Sequence, residues 1–434
     1  MTRIKECVLY RNFQHGEILE KMTALMDACE SSVVNAKAME PVFYECVNGL
    51  IETAGNYGFS GNLWHDYLTL LLVNHENAFS TASEIRGHIE GSINQLALHD
   101  FAIFKELYDF DLNTLDSIFH TSCCKILCNY EIPENTGKMF NKRIRDRICD
   151  MSKTLAVAKD TGEFMEDMVQ FYKDFGVGKL GLHKAFRIER DEKGKAQIVP
   201  ITRIAHVRLE DLVGYEIPKQ KLIENTEAFV QGRKANNCLL FGDAGTGKSS
   251  SIKGILNRYY DDGLRIIEVY KHQFQDLNQV IAQIKDRNYK FIIYMDDLSF
   301  EEFEIEYKYL KAVIEGGLER KPDNILIYAT SNRRHLVRER AGDKLEVGDN
   351  DDIHSSDTVQ EKLSLVYRFG VRIYFGAPDR KEFHTIVKTL AARHGINMPE
   401  EELLLEAGKW EISHGGLTGR TAQQFIDHLL GKKE

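Results

Sequence analysis

The stretch Gly242-Asp-Ala-Gly-Thr-Gly-Lys-Ser249, called the phosphate loop below, decides the fold class of this chain of 434 residues. Its spacing is G-x-x-x-x-G-K-[ST], in which glycines let successive backbone N–H groups turn inward on phosphate oxygens. An apolar run at residues 238–241 precedes the loop, and residues 250–258 follow it as a helix whose N-terminus is a positive dipole end. A strand, a glycine-rich loop and a helix in this order predict a P-loop phosphate site.

The loop also predicts which side chains hold a nucleotide. Lys248 is expected to reach the β- and γ-phosphates, and the Ser249 hydroxyl is expected to ligate Mg²⁺. The residues to which we assign nucleotide binding in and beside the loop are Gly242, Asp243, Ala244, Gly245, Thr246, Gly247, Lys248, Ser249 and Ser250.

Two acidic residues follow a second apolar run. Residues 291–295 read as a buried strand, and Asp296 and Asp297 come directly after it. The first carboxylate is expected to hold Mg²⁺ through water, so Ser249 and Asp296 form the predicted metal site. The second carboxylate is expected to orient or deprotonate an attacking water, which makes Asp297 a predicted catalytic residue.

A third apolar run also ends in polar residues. It begins at residue 324 and leads to Asn332. An amide at this point can hydrogen-bond the attacking water or the γ-phosphate, so Asn332 is a second predicted catalytic residue. Thr330 is the alternative for the same role.

The order of elements differs between the two halves of the chain. Residues 16–30, 63–73 and 98–108 are predicted helices, and the first 200 residues are expected to be mainly helical. Residues 187–200 read as a hairpin or a linker. Beyond them, short apolar runs alternate with helical segments, which is typical of a parallel sheet with crossover helices. The predicted strands are 237–241, 264–269, 291–295, 324–328 and 371–375.

Composition and charge limit the class of protein. Hydrophobic residues make up 43% and charged residues 28%, the balance of a globular chain. The longest apolar runs fall far short of the roughly 18 residues of a membrane helix, and no secretion signal opens the sequence. We therefore expect a cytoplasmic location with reduced cysteines and no membrane partner. Of the net charge of −10, residues 1–100 carry −7, from 6 basic and 13 acidic residues.

Taken together, these motifs resemble those of an AAA+ ATPase over roughly residues 205–430. Several short sequence segments resemble more specifically the bacterial family called domain of unknown function 815. The segments that carry this resemblance are DDLSFE (296–301), YATSNRRHL (328–336), EKLSL with RFG (361–370) and GRTAQQF (419–425). The family implies a type of machine and no particular substrate.

The resemblance implies further site residues. Val213, Gly214 and Tyr215 resemble the stretch that packs on adenine, so ATP is the implied nucleotide. Arg368 resembles an arginine finger, a catalytic residue that reaches the γ-phosphate of a neighbouring subunit and so implies a homo-oligomer. Arg420 resembles the second sensor, which sits on a helical lid and binds nucleotide. Arg333 and Arg334 compete with Arg368 for the finger role.

The expected architecture is an α/β P-loop NTPase of the AAA+ type, with a parallel sheet between helices. Residues 1–200 would form a mainly helical partner domain, 201–376 the nucleotide-binding domain and 377–434 the lid. The hypothesis for function is ATP hydrolysis with Mg²⁺, driving conformational change in an oligomer that acts on a protein partner.

The alternative is an ATP-dependent nucleic-acid-binding switch similar to bacterial initiators or helicase loaders. Arg333, Arg334, Arg338 and Arg340 favour it mildly, and the acidic first 100 residues argue against it. A threading unfoldase is a weaker reading, because residues 268–273 lack the glycine of a pore loop.

Overall fold

The fold is described from a computed structural model, which covers residues 4–30, 36–88, 90–132, 140–300, 306–315, 322–332 and 365–432. The chain divides into two compact units, Met1–Leu182 and His183–Glu434, called the helical unit and the sheet unit below. The predicted border near residue 200 is wrong. The segment around residues 187–200 is a β-hairpin whose first strand joins the main sheet, so it belongs to the sheet unit.

The helical unit is built from α-helices in its described residues, as the sequence predicts. The predicted helices at 16–30, 63–73 and 98–108 correspond to α1, α3 and α5. The bounds are α1 (Glu17–Glu30), α2 (Ala36–Tyr57), α3 (Leu63–Asn74), α4 (Ala78–Arg86), α5 (Ser92–Asp109), α6 (Asn113–Phe119), α7 (Cys123–Leu127), α8 (Lys142–Val157), α9 (Thr161–Phe175) and α10 (Gly178–Leu182).

Buried aromatic and carboxyl groups hold the helical unit together. Trp64 of α3 is fully buried and donates its indole N–H to the carbonyl of Leu107 on α5, 3.0 Å away. The buried Asp100 carboxylate accepts backbone N–H groups of residues 8–10, which fixes the N-terminal segment against α5. Because these contacts join residues far apart in sequence, the unit packs as one core.

The sheet unit contains seven strands in the order β2-β1-β4-β5-β6-β3-β7. The β1–β2 pair is antiparallel and the other pairs are parallel, so the predicted parallel sheet is confirmed. All five predicted strands are present as β3 to β7. The bounds are β1 (Ala185–Arg190), β2 (Ala196–Pro200), β3 (Cys238–Gly242), β4 (Leu264–Glu268), β5 (Lys290–Met295), β6 (Ile325–Ser331) and β7 (Val371–Phe375).

Helices flank this sheet and then form the lid. The helices that accompany the strands are α11 (Glu216–Val230), α12 (Lys248–Tyr259), α13 (Leu277–Ile284) and α14 (Glu306–Glu315). Those of the lid are α15 (Arg380–Arg393), α16 (Glu400–Ser413) and α17 (Gly419–Gly431). The lid helices bury a small apolar core of their own, which includes Phe383, Ala407 and Phe425.

The parallel strands place their polar ends together. β3, β5 and β6 run in the same direction, so the phosphate loop, Asp296 and Asn332 all follow strand ends at one edge of the sheet. Among helices of the described residues, none has the length and apolar character that crossing a membrane requires.

Candidate functional site

A cavity of about 650 Å³ lies at this edge of the sheet, between the phosphate loop and the lid. Of the predicted site residues, Val213, Tyr215, Ala244, Gly245, Thr246, Gly247, Lys248, Ser249, Ser250, Asp296, Asp297, Asn332 and Arg420 line it. Gly214, Gly242, Asp243 and Arg368 are not among its lining residues. The structure therefore brings together side chains from five separate stretches of the chain.

The glycines of the phosphate loop are required by its tight path. Gly242 has φ of 134°, and a Cβ atom there would lie 2.1 Å from the carbonyl oxygen of Phe375 on β7. Gly245 has φ of 75°, and its Cβ would lie 3.1 Å from the Cβ of Arg420 in the lid. Only glycine allows the loop to approach both neighbours so closely.

The Lys248 side chain folds back across the phosphate loop to which it belongs. Its buried ammonium group donates to the carbonyls of Gly242 and Asp243, at 3.0 and 2.5 Å. Burial lowers the pKa of Lys248, while the carboxylates of Asp243, Asp297 and Asp296 act in the opposite direction. An ammonium enclosed by a concave loop fits the phosphate-binding role that the sequence predicts.

Three hydroxyl groups surround the Asp296 carboxylate. Oδ1 accepts hydrogen bonds from Ser249 Oγ (2.8 Å), Tyr294 OH (2.7 Å) and Thr330 Oγ1 (2.5 Å). Burial alone would raise the pKa of Asp296, but the hydrogen bonds from these three groups outweigh it and hold the pKa below its ordinary value. The Ser249 hydroxyl and the ionised Asp296 carboxylate are both hard oxygen ligands, the kind that Mg²⁺ prefers.

Asp297 and Asn332 form a second pair beside the first. The Asn332 amide Nδ2 donates to Asp297 Oδ1 over 2.8 Å, and the backbone N–H of Asp297 donates to Thr330 Oγ1 over 2.9 Å. Asp297 has φ of 49°, a left-handed conformation that is uncommon outside glycine and that clusters at active sites. Thr330 thus connects the two acids, whereas Asn332 bonds to the second acid.

The other end of the cavity is apolar and faces the lid. Val213, Tyr215, Ile386 and Leu390 line it, and the Tyr215 ring lies 5.5 Å from that of Phe375. These groups form a slot of the kind that accommodates a flat base. The sequence did not indicate that the lid residues Ile386 and Leu390 line the cavity, because their pattern is that of ordinary buried positions on a helix.

Two basic side chains fix the backbone of this slot. The buried Lys219 donates to the Leu212 carbonyl over 2.7 Å and to the carboxylate of Glu216 over 2.8 Å. Arg393, at the end of lid helix α15, donates to the carbonyls of Asp211 (2.6 Å) and Glu210 (2.8 Å). The segment that precedes the slot is therefore held from both α11 and the lid.

The predicted arginines fall in different places. Arg420 lines the cavity, and its backbone N–H donates to the Gly245 carbonyl over 3.2 Å. Arg368 lies just before β7, at the opposite end of that strand from the phosphate loop, and is half-buried. The competing residues Arg333 and Arg334 lie outside the described residues.

Some site residues were missed at the level of sequence. Tyr294 lies two positions before Asp296 on β5, so strand periodicity could have placed both on one face. Asp243 is assigned to nucleotide binding from the sequence, but it does not line the cavity, and its carboxylate accepts the N–H of Ala377 over 2.8 Å, where the sheet connects to the lid. Its sequence position inside the loop could not indicate that contact.

The fold and this cavity define an α/β P-loop protein with the AAA+ type of fold. A glycine-rich loop joins β3 to α12, acids follow β5, and a C-terminal lid completes the cavity. The chain belongs to the family described as protein of unknown function DUF815, whose model matches residues 181–433. The family resemblance that the sequence motifs predict is thereby confirmed.

The chain is also similar, at low sequence identity, to parts of two solved structures. A RuvB mutant of Thermotoga maritima is 16% identical with a TM-score of 0.36, covering 52% of this chain and 65% of its own. PCH-2 of C. elegans is 17% identical with the same TM-score and the same coverage. The chain thus spans just under two thirds of either protein. No significant match exists among curated proteins.

Proposed function

We propose that this protein binds and hydrolyses ATP with Mg²⁺ and uses the reaction to drive conformational change in a homo-oligomer. One observation carries the proposal: the Asp297–Asn332 pair and the Ser249–Asp296 pair open onto the same cavity as Lys248. A phosphate-binding loop without acids beside it would support binding alone. The paired acids add the means to place a metal ion and to activate a water.

In this proposal the phosphate end of the cavity has separate roles for its side chains. Lys248 would exchange its bonds to the loop carbonyls for bonds to the β- and γ-phosphates. Ser249 and Asp296 would hold Mg²⁺, with Thr330 and Tyr294 as further donors to the Asp296 carboxylate. When bound, Mg²⁺ supplies charge neutralisation between the β- and γ-phosphates.

Asp297 would accept the proton of the attacking water. The Asn332 amide donates to one oxygen of this carboxylate and so fixes its orientation towards the cavity. Arg420 would contact the phosphates from the lid. Arg368 would complete the site of a neighbouring subunit, which fits its position away from the cavity of its own chain.

The slot formed by Val213, Tyr215, Ile386 and Leu390 would hold the adenine base, while the helical unit would engage a protein partner. Support for the partner class is the charge of −7 in residues 1–100, which disfavours nucleic acid. The alternative of a nucleic-acid switch has no added support, since Arg333, Arg334, Arg338 and Arg340 lie outside the described residues.

The test compares ATP binding and hydrolysis in the wild type, Lys248→Ala and Asp297→Asn. We expect Mg²⁺-dependent hydrolysis in the wild type and loss of ATP binding in Lys248→Ala. Asp297→Asn should retain ATP binding and hydrolyse it about 10²–10⁴-fold more slowly, because the water loses its base. Asp262→Asn, at an exposed acid just after α12, is the matched control. A wild type that does not bind ATP, or an Asp297→Asn variant of normal rate, would contradict the proposal.

A further inference from the structure

The Asp296 carboxylate has one donor that differs in kind from the others. Ser249 and Thr330 are short side chains whose hydroxyl hydrogens rotate freely to suit an acceptor. Tyr294 instead places its hydroxyl at the end of a rigid ring, 2.7 Å from Asp296 Oδ1. The residue is only 5% exposed, and its ring belongs to the apolar core that packs between the sheet and its helices.

Strand geometry explains why Tyr294 reaches this acid. Side chains two residues apart on a strand point to the same face, so Tyr294 and Asp296 are neighbours at the end of β5. The ring cannot leave this position without opening the core around it. The Tyr294 hydroxyl is therefore held in one position, and its hydrogen bond orients the Asp296 carboxylate.

The Ser249 hydroxyl depends on the same carboxylate. A hydroxyl has one hydrogen and two lone pairs, and Ser249 gives its hydrogen to Asp296 Oδ1. Its lone pairs then remain for a metal ion. An Asp296 side chain that rotated away would remove the acceptor of this hydrogen, so the orientation of the carboxylate affects both metal-binding groups.

A second tyrosine in the sheet provides an internal comparison. Tyr328 of β6 is the direct register partner of Tyr294, is fully buried and packs in the same core. Its hydroxyl does not reach an acid and instead bonds to Asn225 and Thr226 on α11, at 2.9 and 3.0 Å. Both residues are buried tyrosines at paired positions of neighbouring strands, and they differ in the groups that their hydroxyls contact.

We propose that Tyr294 is a positioning residue, which holds the Asp296 carboxylate in the orientation that Ser249 and Asp296 need to bind Mg²⁺ together. This inference rests on the proposed function, because it assigns a role within the metal site of an ATPase. Groups that orient a metal ligand typically affect metal affinity by 10- to 100-fold. Because Asp296 keeps two other donors, we expect the lower end of that range.

The experiment uses the full chain as wild type, Tyr294→Phe and Tyr328→Phe. ADP affinity is measured by calorimetry in EDTA and in Mg²⁺, and Mn²⁺ binding to the ADP complex is titrated by electron paramagnetic resonance. Tyr294→Phe should leave ADP affinity in EDTA unchanged and weaken Mn²⁺ binding about tenfold. Excess Mg²⁺ should restore ATP hydrolysis by Tyr294→Phe to the rate of the wild type. Tyr328→Phe should bind Mn²⁺ like the wild type.

The possible outcomes distinguish the proposed role of Tyr294 from the proposed ATPase activity. Equal Mn²⁺ affinity in all three proteins, or an equal loss in both variants, would overturn the role of Tyr294 while leaving the ATPase proposal intact. A wild type that binds no ADP would overturn the ATPase proposal, and the role of Tyr294 with it. If Tyr294→Phe does not fold, Tyr294→Met and Tyr328→Met form the same comparison with a more adaptable side chain.

Discussion

Asp66 is a carboxyl group buried inside the helical unit. It lies in the first turn of α3, is 3% exposed, and accepts a hydrogen bond from the Cys149 thiol of α8 over 3.6 Å. Burial raises the pKa of Asp66 to about 6, while hydrogen bonds from Ser152 and Cys149 oppose that shift. The folded protein therefore holds this proton more tightly than the unfolded chain does.

The raised pKa predicts the pH dependence of an Asp66→Asn variant. Above about pH 6 the charged carboxylate costs the folded state free energy, and that cost disappears as the pH falls towards the unfolded value of 3.8. Asp66→Asn should therefore raise the free energy of unfolding at pH 7 by about 1–2 kcal/mol, with a smaller gain at pH 4.

Urea unfolding of the wild type and the variant at several pH values measures this difference. Asp150→Asn is the control, because its carboxylate lies on α8 but is exposed beside Lys153. It should change stability little at any pH. A loss of stability in Asp66→Asn at pH 7, or a gain that does not depend on pH, would contradict the assigned cost.

At the scale of elements, the phosphate loop is joined to the connection between sheet and lid. The backbone N–H of Asp243 donates to the Phe375 carbonyl over 3.0 Å, and the Asp243 carboxylate accepts the Ala377 N–H over 2.8 Å. The Asp243 carbonyl also accepts from Lys248, the group expected to move onto phosphate. A single loop residue thus contacts both the predicted phosphate ligand and the start of the lid.

Asp243→Ala should loosen this connection. Without the carboxylate the Ala377 amide loses its acceptor, and its hydrogen exchange should become about fivefold faster, as expected for a net loss near 1 kcal/mol. Amide-resolved hydrogen exchange measures the effect. In the control Asp379→Ala, exchange should rise at Glu382, whose N–H the Asp379 side chain caps, and stay normal at Ala377. Unchanged exchange at Ala377 in Asp243→Ala would show that the bond does not hold the lid.

At the scale of the whole molecule, we propose that hydrolysis uses residues of more than one chain. The cavity contains Lys248, Asp297 and Arg420, whereas Arg368 is not among its lining residues. A guanidinium supplied by a neighbour stabilises the charge that spreads over the transferring phosphoryl group. The proposed homo-oligomer rests on the predicted finger role of Arg368, which does not line the cavity of its own chain.

Mixing two inactive variants tests this arrangement. Lys248→Ala should not bind ATP, and Arg368→Ala should bind ATP but hydrolyse it about 10³-fold more slowly. In a mixture, an intact Arg368 can face an intact nucleotide site, so hydrolysis should recover in part. Arg372→Ala, at an exposed arginine of β7, should hydrolyse ATP normally. Co-assembly without any recovery would rule out the action of Arg368 on a neighbour.

Local patterns in the sequence predicted much of the sheet unit. The phosphate loop, Asp296, Asp297 and Asn332 follow strands that are visible in the sequence as apolar runs, so these strands and the polar residues at their ends could be predicted. Parallel strands bring such ends to one edge, which is why residues distant in sequence were expected together. The helical character of the N-terminal unit was predictable for the same reason, from periodicity within single helices.

The sequence by itself determined the class of fold and which polar residues meet beside the phosphate loop, because both depend on short motifs with a fixed local geometry. Only the tertiary structure decided the unit border at residue 182, the bond from Tyr294 to Asp296, and the bond from Asp243 to Ala377. The border depends on which strand the 185–200 hairpin joins, and each bond depends on how a side chain is aimed. The unit border and the two hydrogen bonds depend on packing between distant parts of the sheet unit, and a local sequence pattern contains no information about that packing.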